Sequence, residues 1–229
     1  MIRFFSSLFL LSVFCSALAQ ELVPKEQNEP VNGKNPRERE PFKNPDLEIF
    51  KKLFVKRRKE HMEAIKGLLK MESYERRYKM ISVMTEKVYN VIETKKHVLE
   101  KAGFVPNNIS FPKETEIKDA LSSILENTAL FGDIVLHIPD IMHRILKQQP
   151  MWHSIMRWSF SFVSQMRHLL DKSTFTMLHL AEQELQFVPR DPNYVNPYWT
   201  NPSEEANNKK ATFKKEKRKK EPRITRIEL

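Results

Sequence analysis

Residues 113–138 read KETEIKDALSSILENTALFGDIVLHI and carry a broad apolar pattern. Apolar side chains and one threonine recur every three or four residues, at Ile117, Leu121, Ile124, Leu125, Thr128, Phe131, Ile134, Val135 and Ile138. That spacing places them on one face of an α-helix. Pro139 follows, and a proline stops or kinks a helix because it lacks the amide hydrogen. The stretch therefore predicts an amphipathic helix with a wide buried face.

The residues before this stretch show the same period in two runs. The first begins near Asp46, a candidate N-terminal cap or first-turn acid, and continues to Leu69. The second runs from Tyr74 to Leu99 and ends at Gly103, a candidate C-cap. Gly67 and the polar residues 72–73 weaken the pattern between the two runs. We expect either a helical hairpin or one long bent helix.

The residues after Pro139 predict three more helical segments. A short helix should reach Pro150, and a last helix should span about Ser173 to Phe187. Residues 151–170 are apolar on most sides, which is typical of a helix at the centre of a bundle. The chain has four glycines and no run of alternating β-branched residues, so strands are not expected. The fold class predicted is all-α, a compact bundle of about five to six helices.

The two ends of the chain predict no packed structure. Residues 20–44 are polar and proline-rich and should form a disordered leader before the helical domain at 45–188. Residues 189–229 should be a disordered basic tail. One domain with tails is the expected organisation.

Residues 1–19 have the three parts of a secretory signal peptide. Arg3 precedes an apolar run from Phe4 to Phe14, and Ala17 and Ala19 provide small residues for cleavage after Ala19. The run is shorter than the roughly 20 residues that span a bilayer, so no transmembrane segment is expected. Cleavage would also remove Cys15, the only cysteine, and a mature chain without thiols must be stabilised by packed helices.

The last four residues resemble a retrieval signal of the Lys-Asp-Glu-Leu type. Arg226, Glu228 and Leu229 fit the pattern, and Ile227 replaces the acidic residue. We expect the receptor for such signals to be a partner and the endoplasmic reticulum lumen to be the location, with partial secretion. A protein that is simply secreted is the alternative.

A loop between Pro106 and Pro112 contains the sequon Asn108-Ile109-Ser110. In a lumenal protein this loop would be accessible, so Asn108 is a candidate N-glycosylation site. Whether it is occupied stays open.

No catalytic, cofactor-binding or metal-binding motif can be written for the chain. The seven histidines lack metal-ligand spacing, and there is no Gly-x-Ser-x-Gly element or glycine-rich phosphate loop. We expect no cofactor and no enzymatic activity.

Two basic runs, at residues 56–59 and 214–220, predict a solvated helix face and a soluble tail. Contact with an acidic lumenal partner or a membrane surface is the alternative. Nucleic acid is not expected as a partner in the lumen.

Gly132 and Asp133 interrupt the apolar pattern of residues 113–138. A buried carboxylate needs a partner, and Arg157 is the candidate for an ion pair across the bundle. A helix crossing at Gly132 would explain the glycine. A groove that docks a partner is the alternative interpretation of both residues.

Five segments together resemble the coiled-coil domain-containing protein 134 family. They are NPDLEIFKKLF at 44–54, ENTALFGDIVL at 126–136, RWSFSF at 157–162, AEQEL at 181–185 and PRITRIEL at 222–229. The resemblance covers essentially the whole chain from Asn44. It implies a soluble, partly secreted protein of the endoplasmic reticulum that acts by binding. The implied partner is the lumenal Hsp90 chaperone, endoplasmin, whose nascent chain such a protein protects from excess N-glycosylation at the translocon. The resemblance also implies dampening of mitogen-activated protein (MAP) kinase signalling through ERK and JNK.

Overall fold

The computed structural model describes residues 44–106 and 111–199. Within these ranges the chain forms six α-helices and no strand, which confirms the all-α prediction. The helices are α1 (Pro45–Leu69), α2 (Tyr74–Lys101), α3 (Thr115–His137), α4 (Pro139–Gln148), α5 (Pro150–Gln165) and α6 (Lys172–Glu184). A short 3₁₀ helix, Arg167–Leu169, lies between α5 and α6. The predicted signal peptide and the expected leader up to residue 43 lie outside the described residues.

The weak point between the first two runs is a true helix break. Lys70 is the C-cap of α1, and the Ser73 hydroxyl accepts a hydrogen bond from the Arg76 amide at 3.3 Å, which caps α2. At the start of α1 the Asn44 side chain accepts from the Asp46 amide at 3.1 Å. Asp46 is therefore a first-turn acid, and Asn44 is the cap.

Helix α3 is the centre of the bundle, because it packs against each of the other five helices. More than half of its residues are buried, and all six from Phe131 to Leu136 are. The expectation that residues 151–170 form the central helix is wrong. Arg157, Ser161, Ser164 and Gln165 give α5 an exposed polar stripe, so α5 buries only one side.

Gly132 lies where α3 crosses α6, as the sequence predicts. A Cβ atom added at Gly132 would lie 3.1 Å from Met177 Sδ and 3.2 Å from Leu178 Cδ2. It would also lie 3.5 Å from the Cβ of Ala181. The missing side chain lets the two helices approach closely at this point.

Packed structure continues past residue 188, where the tail was expected to begin. The Asn196 amide donates to the Leu136 carbonyl at 2.8 Å, and the Tyr194 hydroxyl donates to Glu184 at 2.8 Å. The ring of Tyr198 lies against His137. These polar and aromatic side chains fix residues 189–199 to the ends of α3 and α6. Tail residues 200–229 lie outside the described residues.

Among the helices that the structure describes, none has the length and apolar character needed to cross a membrane.

Candidate functional site

Two adjacent arginines of α1 bind two carboxylates of α3 and form what we call the ion-pair cluster: Arg57, Arg58, Glu126 and Asp133. Arg58 donates through both terminal nitrogens to the two oxygens of Asp133, and the Nη2–Oδ1 distance is 2.9 Å. Arg57 Nε lies 3.1 Å from Glu126 Oε2. The two acids are two turns apart on α3, which places them on one side of that helix. The cluster therefore fixes α1 along α3.

The Arg58–Asp133 pair is buried. The side chain of Asp133 is 2% exposed and that of Arg58 is 13% exposed. Arg58 also donates to Thr174 Oγ1 at 3.3 Å, and its Nη1 lies 3.1 Å from His61 Nδ1. These contacts connect α1, α3 and the first turn of α6. Burial of two charges costs free energy, and the bidentate geometry with further hydrogen bonds offsets that cost.

Burial also changes the acid–base properties of the neighbouring groups. Burial, together with the nearby charges of Arg58 and Arg57, lowers the pKa of His61 to about 3. The imidazole is therefore neutral and accepts from Arg58 at Nδ1. Burial raises the pKa of Glu126, against the hydrogen bond from Ser122 and the charge of Arg57. The polar atoms of this region satisfy one another and hold the helices in position.

The predicted Asp133–Arg157 ion pair is wrong in its partner. Asp133 is buried and paired, as expected, but it pairs with Arg58. Arg157 lies on the exposed stripe of α5, donates to the Phe187 carbonyl at 3.1 Å and covers the Phe187 ring. The sequence holds a signal for Arg58, because it follows Phe54 by four residues and so lies near the buried stripe of α1. The prediction that residues 56–59 form a solvated face is therefore wrong for Arg58.

The opposite side of α1 carries exposed apolar and basic side chains together. Ile49 is 54% exposed and Leu53 is 59% exposed. We call Ile49, Lys52, Leu53, Lys56 and Lys59 the outer face of α1; their spacing of three and four places them as neighbours. None of the three lysines forms an ion pair with any residue that the structure describes. The outer face therefore offers both apolar area and lysine ammonium groups that form no ion pair with a described residue.

A polar groove of about 600 Å³ lies between α5 and α6. Its lining includes Arg157, Ser161, His179 and Glu182. Burial raises the pKa of Glu182, opposed by the charge of His179, whose Nδ1 lies 3.6 Å from Glu182 Oε2. In the described ranges no three His, Cys, Asp or Glu side chains are grouped as metal ligands would be.

The other predicted site residues lie outside the described residues. They are the cleavage residues Ala17 and Ala19, the sequon residue Asn108 and the retrieval residues Arg226, Ile227, Glu228 and Leu229. Their roles stay predictions.

Comparison with known proteins shows that the chain is similar to members of a described family. The family model for "ERK and JNK pathways, inhibitor" matches residues 35–227. Coiled-coil domain-containing protein 134 of Mus musculus is 34% identical over 161 residues, which cover 70% of each chain. The Xenopus tropicalis protein of that name is 35% identical over 152 residues, or 66% of each chain. No solved structure matches the chain.

Proposed function

The chain belongs to the coiled-coil domain-containing protein 134 family, and on that premise we propose that it is a non-enzymatic binding protein of the endoplasmic reticulum lumen. Its family is described by inhibition of the ERK and JNK pathways, which supports a role related to these MAP kinases. The match over residues 35–227 is the observation that carries the MAP-kinase-related role, because it spans the whole described domain.

The partner we propose is the lumenal Hsp90-class chaperone. In this proposal the protein binds the nascent chaperone at the translocon and limits its N-glycosylation. The resemblance of segments such as ENTALFGDIVL (126–136) suggests this partner. The predicted signal peptide and retrieval sequence support a location in the lumen, where this chaperone resides. The architecture is suited to binding, because the ion-pair cluster fixes α1 while its outer face stays exposed.

Crosslinking followed by capture of the full chain from endoplasmic reticulum lysate tests this partner. We expect to recover the Hsp90-class chaperone and a component of the translocon or of the glycosylation machinery. An unrelated lumenal protein with the same tag is the control. Recovery of neither component would contradict the proposal.

Glycosylation of the chaperone gives a second measurement. In cells that lack the protein we expect the chaperone to migrate more slowly on a gel and, after glycosidase treatment, to migrate with the glycosidase-treated chaperone of control cells. Re-expression of the protein should restore the normal form. Unchanged mobility in the deficient cells would remove the proposed protective role.

A secreted modulator of MAP kinase signalling is the second candidate, favoured by the description of the family. Deletion of residues 226–229 separates the two functions. A protein retrieved to the lumen should accumulate in the medium after the deletion, whereas a constitutively secreted one should not change. In the second case purified protein added to cells should lower phosphorylation of ERK and JNK.

Mass spectrometry of the purified protein tests the export step on which both candidates depend. We expect the mature chain to begin at Gln20 and to lack Cys15. An intact Met1 on cytosolic protein would contradict both candidates.

A further inference from the structure

The apolar side chains on the outer face of α1 do not contribute to the packing of α1 against the bundle. The buried residues of α1 are Phe50, Phe54, His61, Ile65 and Leu68, which lie on the side facing the bundle. Ile49 and Leu53 lie on the other side, and exposed apolar side chains at neighbouring positions mark interaction surfaces when charged residues surround them. Lys52 and Lys56 lie within one helical turn of this pair, and Lys59 follows Lys56 by one turn.

We propose that the outer face of α1 docks an acidic amphipathic segment of a partner protein. Apolar residues of that segment cover Ile49 and Leu53, and its carboxylates pair with Lys52, Lys56 and Lys59. Charge complementarity carries the choice of partner, because the three lysines have no acidic partner among the described residues. The inference rests on the proposed function in taking the partner to be a captured protein.

The mode of docking follows from the geometry of the helix. From Ile49 to Lys56 α1 rises by about 10 Å, the length of two helical turns. A partner helix with apolar residues at similar spacing can lie along this face, as amphipathic helices lie on apolar surfaces. The ion-pair cluster on the opposite side holds α1 in place, so the face is preorganised and little ordering is needed on binding.

A membrane surface fits this face less well. Helices that lie in the membrane interface insert large apolar side chains, and the two phenylalanines of this segment, Phe50 and Phe54, are buried in the core. Glu48 and Glu60 also lie close to the lysines along α1. A uniformly anionic surface would repel these carboxylates, whereas a protein segment can place its charges to avoid them. A second copy of the chain would bring lysines against lysines.

Fluorescence anisotropy with the full mature chain tests the proposal. The probe is a labelled helix-forming peptide with leucines on one face and glutamates on the other. We expect saturable binding that weakens as salt rises from about 50 mM to about 500 mM, because exposed charges are screened. A scrambled peptide of the same composition and a peptide with lysine for glutamate should bind at least about tenfold more weakly.

Paired variants then locate the binding site. Lys52→Glu with Lys56→Glu should weaken binding by at least about tenfold, because two attractive contacts become repulsive. Lys79→Glu with Lys147→Glu makes the same change of net charge at exposed positions of α2 and α4 and should change binding by less than about twofold.

A second pair of double variants, one test and one control, examines the apolar part of the outer face. Ile49→Ser with Leu53→Ser should weaken binding by about tenfold. Val105→Ser with Met151→Ser, which alters exposed apolar side chains elsewhere, should not. All four double variants should keep the circular dichroism spectrum and thermal unfolding of the wild type, since the positions are exposed.

Three results would overturn the proposal. The first is peptide binding that is absent or equal in all variants. The second is binding of anionic phospholipid vesicles through the same residues, and the third is self-association that depends on them. Chaperone capture separates this inference from the proposed function. If the wild type and Lys52→Glu/Lys56→Glu capture the chaperone equally, the surface is wrong and the function stands. If the wild type captures none but binds the peptide through this face, the surface stands and the function fails.

Discussion

Positively charged side chains have opposite environments on the two sides of α1, the inner side that faces α3 and the outer face. Residues 56–59 read Lys-Arg-Arg-Lys and form one basic run in the sequence. In the fold the two arginines turn toward α3 and bind Glu126 and Asp133, while the two lysines remain exposed. A run of like charges is therefore not one surface, because the helix divides it between the core and the solvent.

The chemistry of the side chains agrees with this division. A guanidinium is planar, weakly hydrated and able to bind both oxygens of a carboxylate, so it tolerates burial in an ion pair. The ammonium group of a lysine is strongly hydrated, so it remains more easily at the solvent-exposed surface. The inner side of α1 should therefore control stability, and the outer side should control binding.

The largest effect is expected from breaking the buried pair. Arg58→Ala or Asp133→Ala should lower the free energy of unfolding by about 3–5 kcal/mol, because each leaves a buried charge without its partner. Urea unfolding followed by far-UV circular dichroism measures this loss. The double variant Arg58→Met/Asp133→Leu should be more stable than either single variant, since no unpaired charge remains. A loss below about 1 kcal/mol in both single variants would show that the pair does not fix α1.

The pH dependence of stability should reveal the buried histidine of the same inner side. The pKa of His61 is about 3 in the folded chain and 6.5 when unperturbed, so between these values the unfolded state binds one more proton. The free energy of unfolding should therefore fall as the pH drops from 6.5 toward 3, by up to about 1.4 kcal/mol per pH unit from this group. Above pH 6.5 its contribution is constant.

His61→Gln isolates this contribution, because the variant keeps a polar side chain but does not titrate. Urea unfolding at several pH values should show that the stability lost between pH 6.5 and 3 is smaller in the variant. Glu126 acts in the opposite direction, because burial raises its pKa and its protonation favours the folded state at acid pH. It is present in both proteins, so it cancels in the comparison. If the free energy of unfolding of the wild type and of the variant fell equally between pH 6.5 and 3, the low pKa assigned to His61 would be wrong.

The elements of the fold could be predicted from the sequence, and their arrangement could not. Apolar period, proline and glycine located the helices, because these signals act within a few residues. The position of α3 at the centre depends on which faces meet. The central position predicted for residues 151–170 is wrong because their many aromatic side chains obscure the polar stripe at Arg157, Ser161 and Ser164. The need of Asp133 for a partner was predictable. Its identity was not, since Arg58 lies 75 residues away.

Two glycines allow the same comparison between a solvent-exposed and a buried position. Gly67 lies on the exposed side of α1, and a Cβ added there meets nothing within 4 Å. Gly67→Ala should raise the free energy of unfolding by about 0.5–1 kcal/mol, because alanine loses less conformational entropy in a helix. Gly132→Ala places its methyl group against Met177 and Leu178 and should be the less stable variant in thermal unfolding. Equal gains would mean that α6 can move away from α3.

The smallest effect is expected at Lys59, next to Arg58 in the chain. Lys59→Ala should change the free energy of unfolding by less than about 0.5 kcal/mol, because the side chain is exposed and forms no ion pair with a described residue. Urea unfolding of Lys59→Ala beside Arg58→Ala provides the sharpest contrast, since the positions differ by one residue and both changes remove one positive charge. A uniform electrostatic contribution of the basic run would give similar losses at both positions. A large loss at Arg58 alone would assign the stabilisation to its contacts with Asp133, which leaves the charge of Lys59 available for a partner.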